Sequence, residues 1–410
     1  MKRYVIVGNG VAAAACVEGI RSRDRDGSII VISAETHPVY CRPLISYYLE
    51  GKTSPDKMDY RPADFYKKNG CRVLYGTKAV GMDPAEKTLS LNSGETLSYD
   101  ALCVAAGSAP FIPPFKGLDT VRNQYTFMTF DDALALERAT ETPKDVLIVG
   151  AGLIGLKCAE GLYGRAKSIT VCDLSNRVLS SILDEDGAKT VQAHLEKHGL
   201  RFLLGNTAER FERNTAFMKN GETVPFDVLV LAVGVKPNVA LVKDAGASVG
   251  RGVAVNEHMQ TSLPDVYAAG DCAEGKDISC DTRRVLAIMP NAYLQGHAAG
   301  VNMAGGDETF DNAVPMNAIG FFGLHLMTAG SYTGEISEEK TPQGSKKFFT
   351  ENGLLKGFIL IGETQRAGLY TSLIRNKTPL ADVDFELLRQ TATAAAFPTG
   401  TRANMFGGVV

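Results

Sequence analysis

Short apolar runs separated by amphipathic segments form two similar patterns along the chain. Val5–Val7 and Val146–Val149 are apolar at every position, which predicts strands buried on both faces of a parallel sheet. Each run leads through a glycine-rich turn into a helical pattern. A second apolar strand then follows each helix, Ser28–Ile32 in the first case and Ser168–Cys172 in the second. The pattern therefore predicts two α/β units.

Beyond residue 311 the pattern changes. Alternating runs such as Lys346–Thr350 and Leu354–Gly362 predict an antiparallel sheet, and Glu363–Thr371 leads into a helix. The predicted fold class is therefore α/β, with two Rossmann-like nucleotide-binding domains and a small α+β domain at the C-terminal end.

The two glycine-rich turns have the spacing of dinucleotide-binding turns. They are Gly8-Asn9-Gly10-Val11-Ala12-Ala13 and Gly150-Ala151-Gly152-Leu153-Ile154-Gly155. In this motif the first glycine makes the tight turn, the second lets the backbone approach a pyrophosphate, and the third packs helix against strand, where alanine is also allowed. The phosphates would lie at the start of a helix, where free N–H groups favour an anion.

An acid near the end of the next strand supports both turns, because it would bind a ribose hydroxyl. Glu35 closely follows the first of these strands, and Asp173 ends the second. Asp173 would repel a 2′-phosphate, and neither Leu174 nor Ser175 supplies the arginine that NADPH sites use. Two dinucleotide sites are predicted, and the second favours NADH.

Three further segments give the chain its resemblance to a known family. Thr261–Asp271, Ala101–Pro110 and Val228–Asn238 are apolar strands that end in small residues. Together with the glycine turns they resemble the pyridine nucleotide-disulfide oxidoreductase superfamily over roughly residues 1 to 305. The resemblance implies that FAD and NAD(H) are the cofactors. It also implies that Asp271, at the end of a strand where a helix would begin, binds the flavin ribityl or pyrophosphate region.

The same resemblance implies a domain order. Residues 1–115 and 246–310 would form an FAD domain that is split by an inserted NADH domain, residues 116–245, and residues 311–410 would form the C-terminal domain. The residues expected at the FAD are Gly8, Gly10, Val11, Ala12, Glu35, Arg42, Pro43, Val80, Ala105, Ala106, Gly107, Gly270, Asp271 and Pro290. Those expected at the NAD are Gly150, Gly152, Leu153, Ile154, Gly155, Asp173, Leu174, Val233 and Gly234.

The cysteine pattern narrows the chemistry within the superfamily. Its disulfide reductases carry a CxxxxC pair soon after the first acid, whereas Cys41 stands alone between Glu35 and Gly70. The segment Tyr40-Cys41-Arg42-Pro43 is similar instead to the Tyr-x-Arg-Pro element of rubredoxin-reductase-like and ferredoxin-reductase-like members, in which the Arg and Pro line the FAD. The region beyond residue 311 resembles the C-terminal domain of rubredoxin reductases and nitrite-reductase-type flavoproteins. Most of the other cysteines fall in apolar stretches typical of buried thiols, and no metal site is predicted.

Three residues are candidates for a catalytic role: Lys157, Arg42 and Pro43. Many relatives have Glu where this chain has Lys157, and some pair that Glu with a Lys at the place of Tyr47. A cation there would stabilise a reduced anionic flavin. The alternative is a solvated helix lysine. A helix that begins near Pro290 resembles the family helix whose positive end faces the flavin pyrimidine edge.

Composition and charge exclude some functions. A net charge of −3 gives no electrostatic reason to expect nucleic acid or an anionic membrane as partner, and no apolar run has a membrane helix's length. The N-terminus enters a strand directly, so neither a signal peptide nor a location other than the cytoplasm is expected.

These observations lead to one function and two alternatives. The leading hypothesis is hydride transfer between NADH and FAD, coupled to one-electron transfer with an iron–sulfur protein or with metal-containing subunits of a larger complex, for example an aldehyde-oxidising one. The alternatives are an NADH oxidase or peroxidase that uses Cys41, and a non-catalytic flavin-binding regulatory protein. The apolar residues 391–410 would fray if left alone, and they are a candidate docking segment for a partner.

Overall fold

The computed structural model describes residues 1–341 and 344–405. The α-helices in this part of the chain are α1 Val11–Arg21, α2 Leu44–Leu49, α3 Phe65–Lys68, α4 Phe130–Ala139, α5 Leu153–Leu162, α6 Glu185–Lys197, α7 Ala240–Asp244, α8 Met289–Met303, α9 Ala367–Arg375, α10 Phe385–Gln390 and α11 Thr399–Met405.

The strands of the N-terminal half are β1 Arg3–Val7, β2 Ser28–Ile32, β3 Cys71–Leu74, β4 Ala79–Asp83, β5 Thr88–Leu91, β6 Thr96–Ser98, β7 Ala101–Val104, β8 Ser108–Pro110, β9 Gln124–Tyr125, β10 Asp145–Val149, β11 Ser168–Asp173 and β12 Arg201–Leu204. The remaining strands are β13 Ala208–Glu212, β14 Thr215–Met218, β15 Thr223–Pro225, β16 Val228–Leu231, β17 Val235–Pro237, β18 Val253–Ala254, β19 Val266–Ala268, β20 Ala273–Asp277, β21 Thr282–Arg284, β22 Met316–Phe321, β23 Leu324–Gly330, β24 Glu335–Thr341, β25 Gly344–Glu351 and β26 Leu354–Ile361.

Two five-stranded parallel sheets carry the two glycine turns. The first has the order β19-β7-β1-β2-β3, and the second has the order β12-β11-β10-β16-β9. The predicted strands β1 and β10 lie in the middle of their sheets and are almost fully buried. Parallel strands covered on both faces need apolar residues at every position. The prediction of two Rossmann-like α/β units is confirmed.

Smaller antiparallel sheets accompany these units. They have the orders β4-β5-β6 and β13-β14-β15, and β8 pairs with β17.

One predicted element is wrong: no helix begins at Asp271. Instead Gly270–Cys272 form one short 3₁₀ turn and the chain then enters β20. Gly270, at φ +78°, takes the left-handed conformation that favours glycine, two residues after the end of β19.

Close contact between α1 and α8 holds the two helices side by side. A Cβ atom on Gly296 would lie 2.1 Å from the Ala12 carbonyl oxygen, and one on Gly300 would lie 2.1 Å from that of Cys16. These distances leave no room for a side chain, so the glycines allow the helix backbones to touch. The middle of α8 is thereby held beside the start of α1.

Contacts divide the chain into two compact units. The first contains residues 1–178, 199–276 and 283–311, and the second contains residues 179–198, 277–282 and 312–410. Both glycine turns lie in the first unit. The domain division predicted from the sequence remains a prediction.

The second unit contains the antiparallel sheet β22-β23-β26-β25-β24, which was predicted from the alternating runs. Its core includes Phe348, Phe358 and Tyr370. The residues predicted to fray are in part ordered, because Ala396 and Phe397 are buried in this same core. Residues 406–410 of that segment lie outside the described residues.

A search of the described residues for a helix both long and apolar enough to cross a membrane found none.

Candidate functional site

The first glycine turn follows β1 and packs against the residues just beyond β7. Gly8 has φ +120°, and a Cβ atom there would lie 2.0 Å from the Ala105 carbonyl oxygen. The Gly8 N–H donates to the Ile32 carbonyl and the Ala105 N–H donates to the Val7 carbonyl, at 2.9 and 2.7 Å. Only glycine fits this position, because both the backbone angle and the space exclude a side chain.

The helix start beyond this turn is open. Gly10 caps α1, and no atom lies within 4 Å of the position that its Cβ would take. Val11 begins the helix, and Ala12 is buried against Gly270 and Gly296. Gly107, at φ +64°, likewise faces open space just beyond Ala105 and Ala106. The turn therefore offers N–H groups and free volume to an anionic group.

Glu35 lies three residues beyond β2, and two donors orient its carboxylate. The Tyr40 hydroxyl donates to one oxygen at 2.7 Å, and the Arg42 guanidinium donates to the other at 2.8 Å. A carboxylate offers about four acceptor positions, so two remain for a diol. The sequence picked out Glu35 and Arg42 but missed Tyr40, although it begins the same Tyr-x-Arg-Pro segment.

Asp271 is a partly buried acid beside Arg42. Burial raises the pKa of its carboxyl group, while the Arg42 charge and a 3.4 Å hydrogen bond from the Ser108 hydroxyl act in the opposite direction. Gly270 is held by Gln295 of α8, whose side-chain oxygen accepts from its N–H at 2.9 Å. Asp271, Arg42 and the part of α8 around Gln295 are therefore brought to one place.

Two predicted prolines lie at helix starts, and one predicted residue lies elsewhere. Pro43 caps α2, and Pro290 is the second residue of α8. Proline suits a first turn because the N–H that it lacks would have no partner there. Val80 is in β4, with 63% of its surface exposed, in the small antiparallel sheet.

The second glycine turn repeats the construction of the first. Gly150 has φ +118°, and a Cβ atom there would lie 2.3 Å from the Ala232 carbonyl oxygen. Gly152 caps α5 and faces open space, and Leu153 and Ile154 form the first turn of that helix. A Cβ atom on Gly155 would lie 1.9 Å from the Gly150 carbonyl oxygen, so the third glycine closes the turn.

Asp173 supports this turn from the end of β11. One carboxylate oxygen accepts from the Ala151 N–H and the other from the Ser175 N–H, both at 2.7 Å. These backbone bonds hold the carboxylate in place, and its remaining acceptor positions can accept hydrogen bonds from a ribose diol, whereas its negative charge repels a phosphate. Leu174 is 67% exposed beside it.

Val233 and Gly234 follow β16 on the opposite side of β10. Gly234 has φ +126° and open space at its Cβ position, and its carbonyl accepts from the Phe111 N–H at 2.9 Å. The turn, Asp173 and this segment all lie at the carboxyl ends of neighbouring parallel strands, the edge at which nucleotides bind in such sheets.

Lys157 lies in the middle of α5 with a charged partner. Its ammonium group forms an ion pair with Glu160, and it lies 5.0 Å from the centre of the Tyr47 ring. The Lys157 side chain is 19% exposed and that of Glu160 only 5%. Lys157 is therefore not a solvated surface lysine. Glu160, three residues away, could have been found from the i, i+3 spacing of opposite charges.

Cys41 lies within the Tyr-x-Arg-Pro segment, and its side chain is a free thiol. All eight cysteines lie in the described part of the chain and are free. Burial raises the pKa of the Cys41 thiol, and a hydrogen bond from the Leu44 N–H opposes that shift only in part. A redox thiol needs the opposite shift, because the thiolate is the reactive form. In the two described stretches, no His, Cys, Asp and Glu side chains cluster as a group of three that could hold a metal.

The residues present fit two dinucleotides. Each turn combines a strained glycine pressed against a neighbouring strand with a second glycine that leaves open space at a helix start. Each also has an acid in place for a ribose, and the first has a buried carboxyl, Asp271, beside Arg42. A pyrophosphate at the helix start and a diol at the acid match these groups.

Comparisons with known proteins agree with this geometry. A family model described as pyridine nucleotide-disulphide oxidoreductase matches residues 2–296. The chain is 32% identical to the NADH-dependent phenylglyoxylate dehydrogenase subunit epsilon of Aromatoleum evansii, over 92% of both chains. It is also 32% identical to the assimilatory nitrate reductase electron transfer subunit of Bacillus subtilis, over 92% of this chain, although it spans only 50% of that relative.

A solved structure shows the same architecture. The NAD-dependent persulfide reductase from A. fulgidus superposes with a TM-score of 0.88 at 26% identity, covering 98% of this chain and 82% of the other.

Proposed function

Since the chain belongs to the pyridine nucleotide-disulphide oxidoreductase family, and is an FAD-dependent oxidoreductase that uses NAD(H), we propose that it is the NAD-linked flavoprotein of an electron-transfer system whose other component carries an iron–sulfur or other metal centre. Electrons would pass between NADH and the FAD of this chain, and between that FAD and the partner.

FAD, when bound, takes a hydride from NADH and gives up its electrons one at a time. The chain's own residues supply binding, orientation and charge. We assign the FAD pyrophosphate to the start of α1 and its ribose to Glu35. Arg42, Pro43 and the start of α8 would face the flavin end. The positive end of α8 would then stabilise negative charge that develops there.

We assign NADH to the second turn, with its ribose at Asp173. The fixed carboxylate and the exposed Leu174 beside it favour NADH over NADPH, because neither can pair with a 2′-phosphate. Lys157 would add positive charge on the nicotinamide side of the flavin. Its pairing with Glu160 fixes where that charge lies and reduces its strength.

One observation carries the proposal that electrons leave through a partner: Cys41 stands alone at the place where disulfide-reducing members carry a cysteine pair, and it is a free thiol. Disulfide-reducing members of the family pass electrons from flavin to a redox-active cysteine pair, and this chain has a single cysteine at that place, with a raised pKa. Electrons on the flavin would then pass directly to an external acceptor. The similarity to two subunits of larger reductases and dehydrogenases supports the same conclusion.

A purification from the source organism tests for the partner. The chain would carry a tag at Met1, copurifying proteins would be identified by mass spectrometry, and iron would be counted per chain. We expect an iron-containing protein that purifies in a fixed ratio or that restores fast NADH oxidation when added back.

A second outcome would contradict the electron-transfer proposal. If the purified chain oxidises NADH with oxygen or peroxide alone as fast as with any added iron–sulfur protein, the electron-transfer proposal fails. A loss of that oxygen-dependent activity in Cys41→Ser would then identify the oxidase instead.

A further inference from the structure

Two side chains connect Glu35 to a distant part of the chain. The Tyr40 hydroxyl donates to Glu35 at 2.7 Å and accepts from the Phe130 N–H at 2.9 Å. The Arg42 guanidinium donates to Glu35 at 2.8 Å and to the Met128 carbonyl at 2.5 Å. The same two residues therefore hold both the acid assigned to the FAD ribose and the segment Met128–Phe130.

That segment is the start of α4, within residues 116–245. Thr129 caps the helix and forms a capping box with Asp132. The Phe130 ring is buried, and its neighbours are the rings of His37, Tyr48 and Tyr40, with centres 5.0, 5.2 and 6.0 Å away. The start of α4 is thus packed on residues that follow Glu35 in the chain.

Tyr40 is the central link because its hydroxyl has one proton to give. Burial raises the pKa of Tyr40, so the hydroxyl stays protonated and its proton goes to Glu35. Its oxygen is then the acceptor for the Phe130 N–H, one of the helix-start donors that have no partner within the helix. Hydrogen bonds in such a chain polarise and strengthen one another.

We propose that Tyr40 is a positioning residue that couples occupancy of the FAD ribose site to the placement of α4, the first helix of the segment predicted to bind NADH. This inference rests on the proposed assignment of the FAD ribose to Glu35. A ribose that takes the two remaining acceptor positions of Glu35 fixes the carboxylate, and through Tyr40 it fixes the first turn of α4. The coupling is reciprocal: a firmly placed α4 also favours FAD binding.

The test compares Tyr40→Phe with Tyr48→Phe. Tyr48 also packs on Phe130, but its hydroxyl donates to Glu137 and not to Glu35, so it is a matched control. The flavin-free protein is titrated with FAD. Hydrogen exchange of residues 128–133 is measured with and without FAD.

We expect Tyr40→Phe to weaken FAD binding about ten-fold, the size expected for one lost hydrogen bond to a charged group. In the wild type, FAD should slow exchange at 128–133. In Tyr40→Phe this slowing should fall well below that of the wild type, because only the Arg42 link to the Met128 carbonyl remains. In Tyr48→Phe it should remain in full, with an FAD affinity close to that of the wild type.

Other outcomes would overturn the inference. Equal exchange rates with and without FAD in the wild type would do so, and so would a Tyr40→Phe variant that keeps the FAD-dependent slowing in full. If Tyr40→Phe does not fold, Glu35→Gln tests the same link from its other end and should also reduce the slowing. A wild-type chain that binds no FAD would contradict the proposed function itself, whereas FAD binding unaffected by Tyr40→Phe would contradict only the coupling.

Discussion

Cys41 shows how the packing around one residue decides its chemistry. The Cys41 side chain is half-buried, and burial raises the pKa of its thiol. The backbone N–H of Cys41 donates to the Met58 carbonyl at 2.8 Å. The sequence could show that this cysteine is alone, but not that it is shielded. Burial of Cys41 accompanies contacts such as the bond to the Met58 carbonyl, which form only in the folded chain.

Alkylation measures this shielding directly. At pH 7.5 we expect iodoacetamide to label the exposed Cys280 first and Cys41 much later, with the Cys41 rate rising as the pH passes above the ordinary pKa of a thiol. Quantitative mass spectrometry of the two peptides gives both rates in one sample. Faster labelling of Cys41 than of Cys280 at neutral pH would support the oxidase alternative.

Lys157 allows a test of charge near the flavin. In Lys157→Met we expect the FAD reduction potential to fall by on the order of 30 mV, equivalent to about 1.4 kcal/mol for a two-electron couple. The cation that stabilises reduced flavin would be lost and the carboxylate of Glu160 would be left behind. Equilibration with a reference dye measures the potential.

Two further variants separate the causes. Lys52→Met removes a more exposed lysine that lies near the same Tyr47 ring, and it should leave the potential unchanged. Lys157→Met combined with Glu160→Gln should recover part of the decrease. An unchanged or higher potential in Lys157→Met would remove this residue from the catalytic assignment.

At the scale of elements, the two turns have the same construction, so their glycines can be compared. Gly8 and Gly150 are pressed against backbone atoms, whereas Gly10 and Gly152 face open space. Alanine at the second position therefore suits the folded protein but obstructs a pyrophosphate.

From this contrast we expect each alanine substitution to weaken the binding of a different nucleotide. Gly10→Ala should keep the melting temperature of the flavin-free protein and lose FAD affinity, by about ten-fold or more if one favourable contact is lost. Gly152→Ala should keep FAD and raise the KM for NADH. Thermal unfolding, FAD titration and steady-state kinetics check the three quantities. The same loss of both ligands in both variants would contradict the assignment of one nucleotide to each turn.

How far the sequence predicts these elements depends on how local their causes are. The strands, turns and helices around Gly8 and Gly150 were predicted because apolar runs and glycine spacing are local signals. The helix predicted after Asp271 was wrong, because the chain there is directed by a glycine with positive φ and by β20, which pairs with β18. The link from Glu35 through Tyr40 to Phe130 spans 95 residues and has no signature in the sequence.

At the scale of the whole molecule, the groups assigned to the two cofactors all lie in the first compact unit. The second unit has its own core, in which Phe397 is buried. Helix α6 belongs to this unit, although along the chain it lies between β11 and β12 of the second parallel sheet. A sequence cannot show that grouping, because it depends on packing partners more than a hundred residues away, such as Phe321 for His194.

The proposed function requires that no side chain in the described part of the chain acts as a second redox centre beside FAD, so that the electrons go to a partner. An anaerobic titration with NADH, followed by flavin absorbance, tests it most directly. The account predicts that one NADH per bound FAD completes the reduction, in the wild type and in Cys41→Ser alike. A wild type that consumes close to two NADH per FAD, with the excess lost in Cys41→Ser, would show a second redox centre at the thiol and contradict the account.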